Sequence, residues 1–255
     1  MPEITNSIRK MVRSLATPKG RRAEGAFVVE GTKSVLDALP LFNLRGLFAT
    51  AAWLDEHRVD TDFVYKVNRA DLERMSSLST PPDVMAVFEI PEVGELSLSP
   101  DRLYIALDGV RDPGNLGTII RLADWFGVTD IIASRDTVDV FNPKTIMATM
   151  GSIGRVTVHY TDLPATLTIA SQSGIEVFGT FLDGENIFDA KVGPAGIIVM
   201  GNEGKGVSPE VDALVSKRLL IPSYPIGHPG AESLNVAMAT AITLAELRRP
   251  LLKTK

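Results

Sequence analysis

Along this chain, short apolar runs alternate with stretches in which hydrophobic residues recur every three or four positions. The runs "AFVVEG" (26–31), "GLFAT" (46–50), "FVYKV" (63–67) and "VMAVFEI" (84–90) are rich in Val and Phe and read as strands. Between them "TKSVLDAL", "AAWLDEH" and "NRADLERMSS" carry helical period, the last with Asn68 placed as N-cap. Together they predict a small α/β domain over residues 1–92. The stretch "PEVGELSLSP" (91–100) has two prolines, a glycine and no period, which predicts a linker, taken as 93–101.

Beyond it the runs become more apolar: "LYIAL" (103–107), "DIIA" (130–133), "RVTVHY" (155–160), "EVFGTF" (176–181), "GIIVM" (196–200) and "RLLIP" (218–222). Strands of this kind are buried on both faces, as in a parallel sheet flanked by helices. Asn142-Pro143, Asp162 and Ser208-Pro209 supply helix-start signals between them. A larger α/β domain over 102–255 is the expectation, with no internal repeat.

Composition narrows the chemistry. The 255 residues include no cysteine and only His57, His159 and His228, without ligand spacing, so a metal site is not expected. No run of 18 apolar residues occurs and "MPEITNSIRKMVRSL" lacks the apolar core of a signal peptide, which predicts a cytoplasmic protein with no membrane partner. The net charge is −5, yet Arg9, Lys10, Arg13, Lys19, Arg21 and Arg22 crowd the first 25 residues. That cluster is either a solvated face or an RNA contact, and only a need for RNA elsewhere in the chain decides between them.

In open α/β sheets ligands bind beyond the carboxyl ends of the strands. Three loops in those places stand out: "LDGVRDPGNLG" after the strand ending at Leu107, "MGNEGKGVSPE" after "GIIVM", and "IPSYPIGHPGAESLNVAMATAITLAEL" after "LLIP". Neither the dinucleotide fingerprint nor a phosphate-binding P-loop is present, and the glycines of "GNEGKG" alone fit tight turns equally well. In the helix after the first loop, Leu116, Ile119, Ala123 and Phe126 share one face at helical spacing. Arg121 falls on the far side, beside Gly117.

Taken together and in this order, "DPGNLGTIIRLADWFG", "IVMGNEGKGVS" and "IPSYPIGHPGAESLNVAMATAITL" resemble the three motifs of the SpoU branch of the SPOUT RNA methyltransferases, which includes the TrmH-type ribose methyltransferases. The resemblance spans about residues 103–250, and "FVVEGTKSVLDAL" in residues 1–90 resembles an L30e-like RNA substrate-binding domain. It implies an α/β-knot catalytic domain with a C-terminal trefoil knot, S-adenosyl-L-methionine as cofactor, a homodimer, and methylation of a ribose 2'-hydroxyl in structured RNA. Ribosomal RNA is preferred because the front domain resembles ribosome-associated modules; a transfer RNA enzyme, a non-catalytic ribosome-assembly module and a nucleotide-using small-molecule enzyme are the alternatives.

The resemblance also assigns residues. Thr180, Met200, Gly201, Asn202, Gly204, Ile221 and Leu234 would cradle the cofactor, with main-chain groups of Gly201, Ile221 and Leu234 meeting adenine and ribose. Asn115, Arg121, Glu203, Ser233 and Asn235 would form the catalytic set. The matching arginine in the family is described as general base or as phosphate clamp. A guanidinium with pKa above 12 is a poor base and a good clamp, so Arg121 is expected to orient and electrostatically activate the ribose. Glu203 either pairs with Lys205 or orients Arg121 or Asn115, while Asn115 and Asn235 double as helix-cap residues. With RNA as substrate, the six N-terminal cations become expected phosphate contacts.

Overall fold

The computed structural model describes residues 3–225 and 232–252. In chain order the front elements are α1 (Asn6–Ser14), α2 (Pro18–Glu24), β1 (Ala26–Glu30), α3 (Thr32–Ala38), β2 (Leu44–Ala49), α4 (Ala51–Glu56), β3 (Val64–Lys66), α5 (Arg69–Met75) and β4 (Val84–Glu89). They are followed by β5 (Leu103–Asp108), α6 (Pro113–Trp125), β6 (Asp130–Ser134), α7 (Pro143–Thr149), β7 (Thr157–Thr161), α8 (Leu163–Gln172), β8 (Val177–Asn186), β9 (Gly196–Gly201), α9 (Pro209–Asp212), β10 (Lys217–Leu220) and α10 (Val236–Leu252). Two compact units result: Met1–Glu92 with Asp139–Gly154, and Val93–Val138 with Arg155–Lys255.

The first unit is a mixed sheet ordered β1-β4-β2-β3, in which β4 runs antiparallel to both neighbours and β2 parallel to β3. On one side Ile4, Ile8, Met11, Val12 and Leu15 of the α1 region pack with Phe48, Leu72, Met85 and Val87. Local signals start these helices: Thr5 accepts from the Ile8 N–H, Thr17 from the Gly20 N–H ahead of Pro18, and Asn68 forms a full capping box with Asp71. The segment 139–154 lies in this unit, although its position within 102–255 assigned it from sequence to the second domain. Phe141 packs on Phe27 with ring centroids 4.7 Å apart, and Asp139 accepts hydrogen bonds from the Arg21 guanidinium at 2.6 and 2.9 Å. Arg21 also donates to the Leu15 carbonyl and is 1% exposed. The expectation that Arg21 meets RNA phosphate is therefore corrected: its charge is spent inside the unit.

The second unit is an all-parallel sheet ordered β10-β8-β9-β5-β6-β7. Tyr104, Ala106, Ile132, Leu167, Val177 and Val199 form part of its core. From β5 the chain builds outward through β6 and β7, then crosses to the other side of β5, which puts the switch of direction between β5 and β9. There Asp108 pairs with Gly201, so the first two unusual loops leave the sheet side by side. Between β8 and β10 the register jumps: Arg218 pairs with Gly179 but Leu219 with Glu185, and residues 180–184 leave the ladder. The expected linker is fastened to this unit. Leu96 and Leu98 pack on its core, and the Tyr104 hydroxyl accepts from the Ser99 N–H and donates to the Ser97 carbonyl.

Candidate functional site

The site is built where the chain leaves β5, β9 and β10. Asp112, not Asn115, is the N-cap of α6: its carboxylate accepts the Asn115 N–H at 2.8 Å, with Pro113 in the first turn. This frees the Asn115 side chain, whose Nδ2 donates to Glu203 at 2.9 Å and whose Oδ1 accepts from Asn235 Nδ2 at 2.9 Å. Glu203 also accepts the main-chain N–H groups of Arg111 (3.3 Å) and Asp112 (3.2 Å). Asn235 in turn accepts the N–H groups of Ala237 and Met238, capping α10.

These bonds leave one consistent arrangement. Asn235 Oδ1 is taken by N–H donors, so its Nδ2 faces Asn115, whose own Nδ2 must then face the acceptor-only carboxylate of Glu203. Glu203, Asn115 and Asn235 thus form one directed chain across all three loops. Burial alone would raise the Glu203 pKa, but hydrogen bonds from Asn115 and from main-chain N–H groups outweigh it and hold the carboxyl below its ordinary value. The carboxylate therefore stays charged at neutral pH, as the arrangement requires. Glu203 orients Asn115, while Arg121 and Lys205 lie outside its contacts among the described residues.

The second loop is held by its own side chains. Asn202 Nδ2 donates to the Gly109 carbonyl at 2.6 Å, and its Oδ1 accepts the N–H groups of Gly204 and Lys205. With these bonds the Asn202 side chain shapes the loop. Gly201 is required sterically, since a Cβ there would lie 2.4 Å from the Gly206 carbonyl carbon and 2.5 Å from the Val207 nitrogen. Gly204 has only the Asn202 Oδ1, at 3.8 Å, near such a Cβ. Asp108 at the end of β5 accepts the Ser208 N–H at 2.6 Å. The Ser208 side chain makes no cap bond, contrary to the expectation from Ser208-Pro209. From the β6 side, Ser134 accepts the Gly109 N–H and donates to Asp136, whose pKa is lowered by that bond and further by Arg111.

Thr180 and Met200 meet just past the last β8–β9 pair, Gly179 with Val199, hydroxyl to thioether at 3.8 Å. Ile221 is half-buried and Leu234 is 50% exposed, an apolar side chain turned to solvent at the mouth of the third loop. The main-chain groups of Ile221 and Leu234 have no partner in the described residues. Ser233 is exposed and joins no hydrogen bond there. Arg121 is exposed on α6 and likewise unpartnered among the described residues, while Gly117 is buried rather than beside it on the outer face, and Phe126 is only half-buried. The interior of the third motif at 226–231, with His228, lies outside the described residues. Asp108, Asp112, Ser134 and Asp136 were not singled out from sequence. Asp112-Pro113 carries a local start signal that identifies Asp112, whereas the contacts of Asp108 with Ser208 and of Ser134 with Gly109 depend on strand order.

Residues 102–245 match the model of the SpoU rRNA Methylase family and residues 6–86 that of the MRM3-like substrate binding domain. The chain is similar to 23S rRNA (guanosine(2553)-2'-O)-methyltransferase RlmP of Bacillus subtilis, 31% identical over 242 residues, 92% of this chain and 94% of that one. Among solved structures it is similar to one from Porphyromonas gingivalis assigned to the TrmH family of RNA methyltransferases, with 40% identity and a TM-score of 0.86 over 97% of this chain and 99% of that one. It is also similar to an AdoMet-bound rRNA methyltransferase from Sinorhizobium meliloti, with 31% identity and a TM-score of 0.85 over 98% of each.

Proposed function

The chain belongs to the SpoU rRNA methylase family, and from that premise we propose that it methylates a ribose 2'-hydroxyl in ribosomal RNA with S-adenosyl-L-methionine as donor. The observation that carries the reading is the directed chain Glu203–Asn115–Asn235, which ties three loops together at the switch point of a parallel sheet. The Bacillus subtilis and Sinorhizobium meliloti relatives, matched over nearly their whole length, bear ribosomal RNA names, which favours that substrate over transfer RNA.

The residues present fit the donor. Met200, Ile221 and Leu234 offer apolar surface, Thr180 a hydroxyl, and the main-chain groups of Ile221 and Leu234, without a partner among the described residues, match the edge of an adenine. When bound, the donor supplies a methyl group on a positively charged sulfur. The protein's share is orientation and proton management. Glu203 fixes the entry into α6 through the main-chain N–H groups of Arg111 and Asp112 and its first turn through Asn115, so the polar rim keeps its shape while the substrate is positioned. Arg121 holds the phosphate beside the target ribose and stabilises the oxygen as it loses its proton, a task suited to a planar guanidinium. Ser233 lines the same mouth.

A homodimer with the site near its interface belongs to this reading. Trp125, 83% exposed one turn beyond Arg121 on α6, supports a second copy covering that face. The trefoil knot, RNA binding by 1–92, the connection at 93–101, catalysis by 102–255 and a cytoplasmic location complete it. In the test, 2'-O-methylation is mapped on ribosomal RNA from cells with and without the gene, alongside calorimetry of the purified protein with S-adenosyl-L-methionine. One methylated ribose should disappear and the donor should bind. Unchanged maps together with no donor binding refute the proposal.

A further inference from the structure

A groove of about 460 Å³ runs between α1 and α5 in the first unit, lined by Asn6, Arg9, Lys10, Arg13, Ser14 and Arg74. Four of the six are cations on a chain of net charge −5. Arg74 comes from a different helix and was not part of the N-terminal cluster read from sequence. The carboxylate beside them, Asp71, is buried and committed: it accepts from Arg9 Nε at 2.9 Å and from the Asn68 N–H.

The two inner arginines are tethered by one edge only. Arg9 spends Nε on Asp71 and Nη1 on Asn6, leaving Nη2 unbonded among the described residues. Arg13 uses Nη1 alone, on the carbonyls of Arg74 and Ser76 at the end of α5, leaving Nε and Nη2. The side chains of Lys10 and Arg74 are exposed and hold no hydrogen bond among the described residues. Guanidinium groups anchored at one edge and open at the other are pre-organised for an anion, which lowers the entropy lost on binding. Like charges gathered in one concavity also concentrate the positive potential there.

We propose that this groove, completed by Arg74, grips the phosphodiester backbone of the RNA substrate and sets the register in which the RNA lies on the first unit. The inference rests on the reading of the protein as an RNA methyltransferase. Lys19 and Arg22, exposed on α2, lie outside the groove, and Arg21 is buried.

The test is filter binding of labelled, deproteinised ribosomal RNA across a salt series with the full-length protein. It compares wild type, the double variant Lys10→Gln/Arg74→Gln, and Lys66→Gln, an exposed cation on β3 outside the groove. Because neither Lys10 nor Arg74 holds a side-chain bond among the described residues, the double variant should fold as wild type. The slope of log affinity against log salt should fall by about one for each groove cation removed, with affinity lower on the order of tenfold. Lys66→Gln should retain the wild-type slope. A double variant with wild-type slope and affinity overturns the groove while leaving the methyltransferase reading standing, and so does an equal change in Lys66→Gln, which would make the effect one of net charge. Failure of the wild-type protein to bind ribosomal RNA at any salt overturns both.

Discussion

Arg121 and Arg21 are the same residue type with opposite fates. Arg121 stands exposed on α6 with no partner among the described residues, whereas Arg21 is enclosed by Asp139 and the Leu15 carbonyl. Helical spacing within one segment identified the first, because the apolar face of α6 is local. It failed for the second because Asp139 lies 118 positions away, and no periodicity in residues 1–25 reveals it. The functional consequence of Arg121 is testable with a conservative change. Arg121→Lys keeps the charge and loses the two-pronged fork, so turnover should drop on the order of 100-fold while donor affinity stays at the wild-type value. Steady-state kinetics with calorimetry measure both, and near-normal turnover would remove Arg121 from the site. Asn115, Glu203 and Asn235 were legible as polar residues in suggestive loops. Their mutual order was not, since it follows from which amide atom each N–H group occupies.

At the scale of elements, the strands were easiest to read because both-face burial writes a continuous apolar run, as in "LYIAL" and "GIIVM". Helix starts were legible where a side chain caps its own first turn, at Asn68, Asn142 and Asp162. At Ser208 the helix starts where the signal places it, at Pro209, but without a side-chain cap bond. The loop after β9 is where an element meets the chemistry most directly. Gly201→Ala would push a methyl group into the backbone of Gly206 and Val207, and overpacking of this kind costs about 1–3 kcal/mol. The loop must shift, carrying Glu203 away from Asn115. Thermal unfolding should therefore show a lower midpoint, and donor binding should weaken in the same variant. A variant with unchanged midpoint and donor affinity would mean that the loop yields without consequence.

At the scale of the whole molecule, two α/β units with a sheet each were legible from the alternation of runs, but their membership was not. Residues 139–154 follow β6 in sequence yet complete the unit built by residues 1–92. The tie is partly electrostatic. Removing one partner of a buried ion pair commonly costs 3–5 kcal/mol, and the remaining exposure of Asp139 (34%) places Asp139→Ala near the lower end, about 3 kcal/mol. Urea unfolding of the full-length protein measures it, and a loss below about 1 kcal/mol would show that Arg21 finds another acceptor.

Membership of 139–154 also bears on how such a chain can be recombined. A single crossover near residue 92 would deliver a foreign front unit without its own counterparts of Asp139 and Phe141, and would strand the host's copies with nothing to enclose. Exchange of that unit between related enzymes must therefore transplant two separated stretches at once, so chimaeras cut at one point should be rarer among viable products than those cut at three.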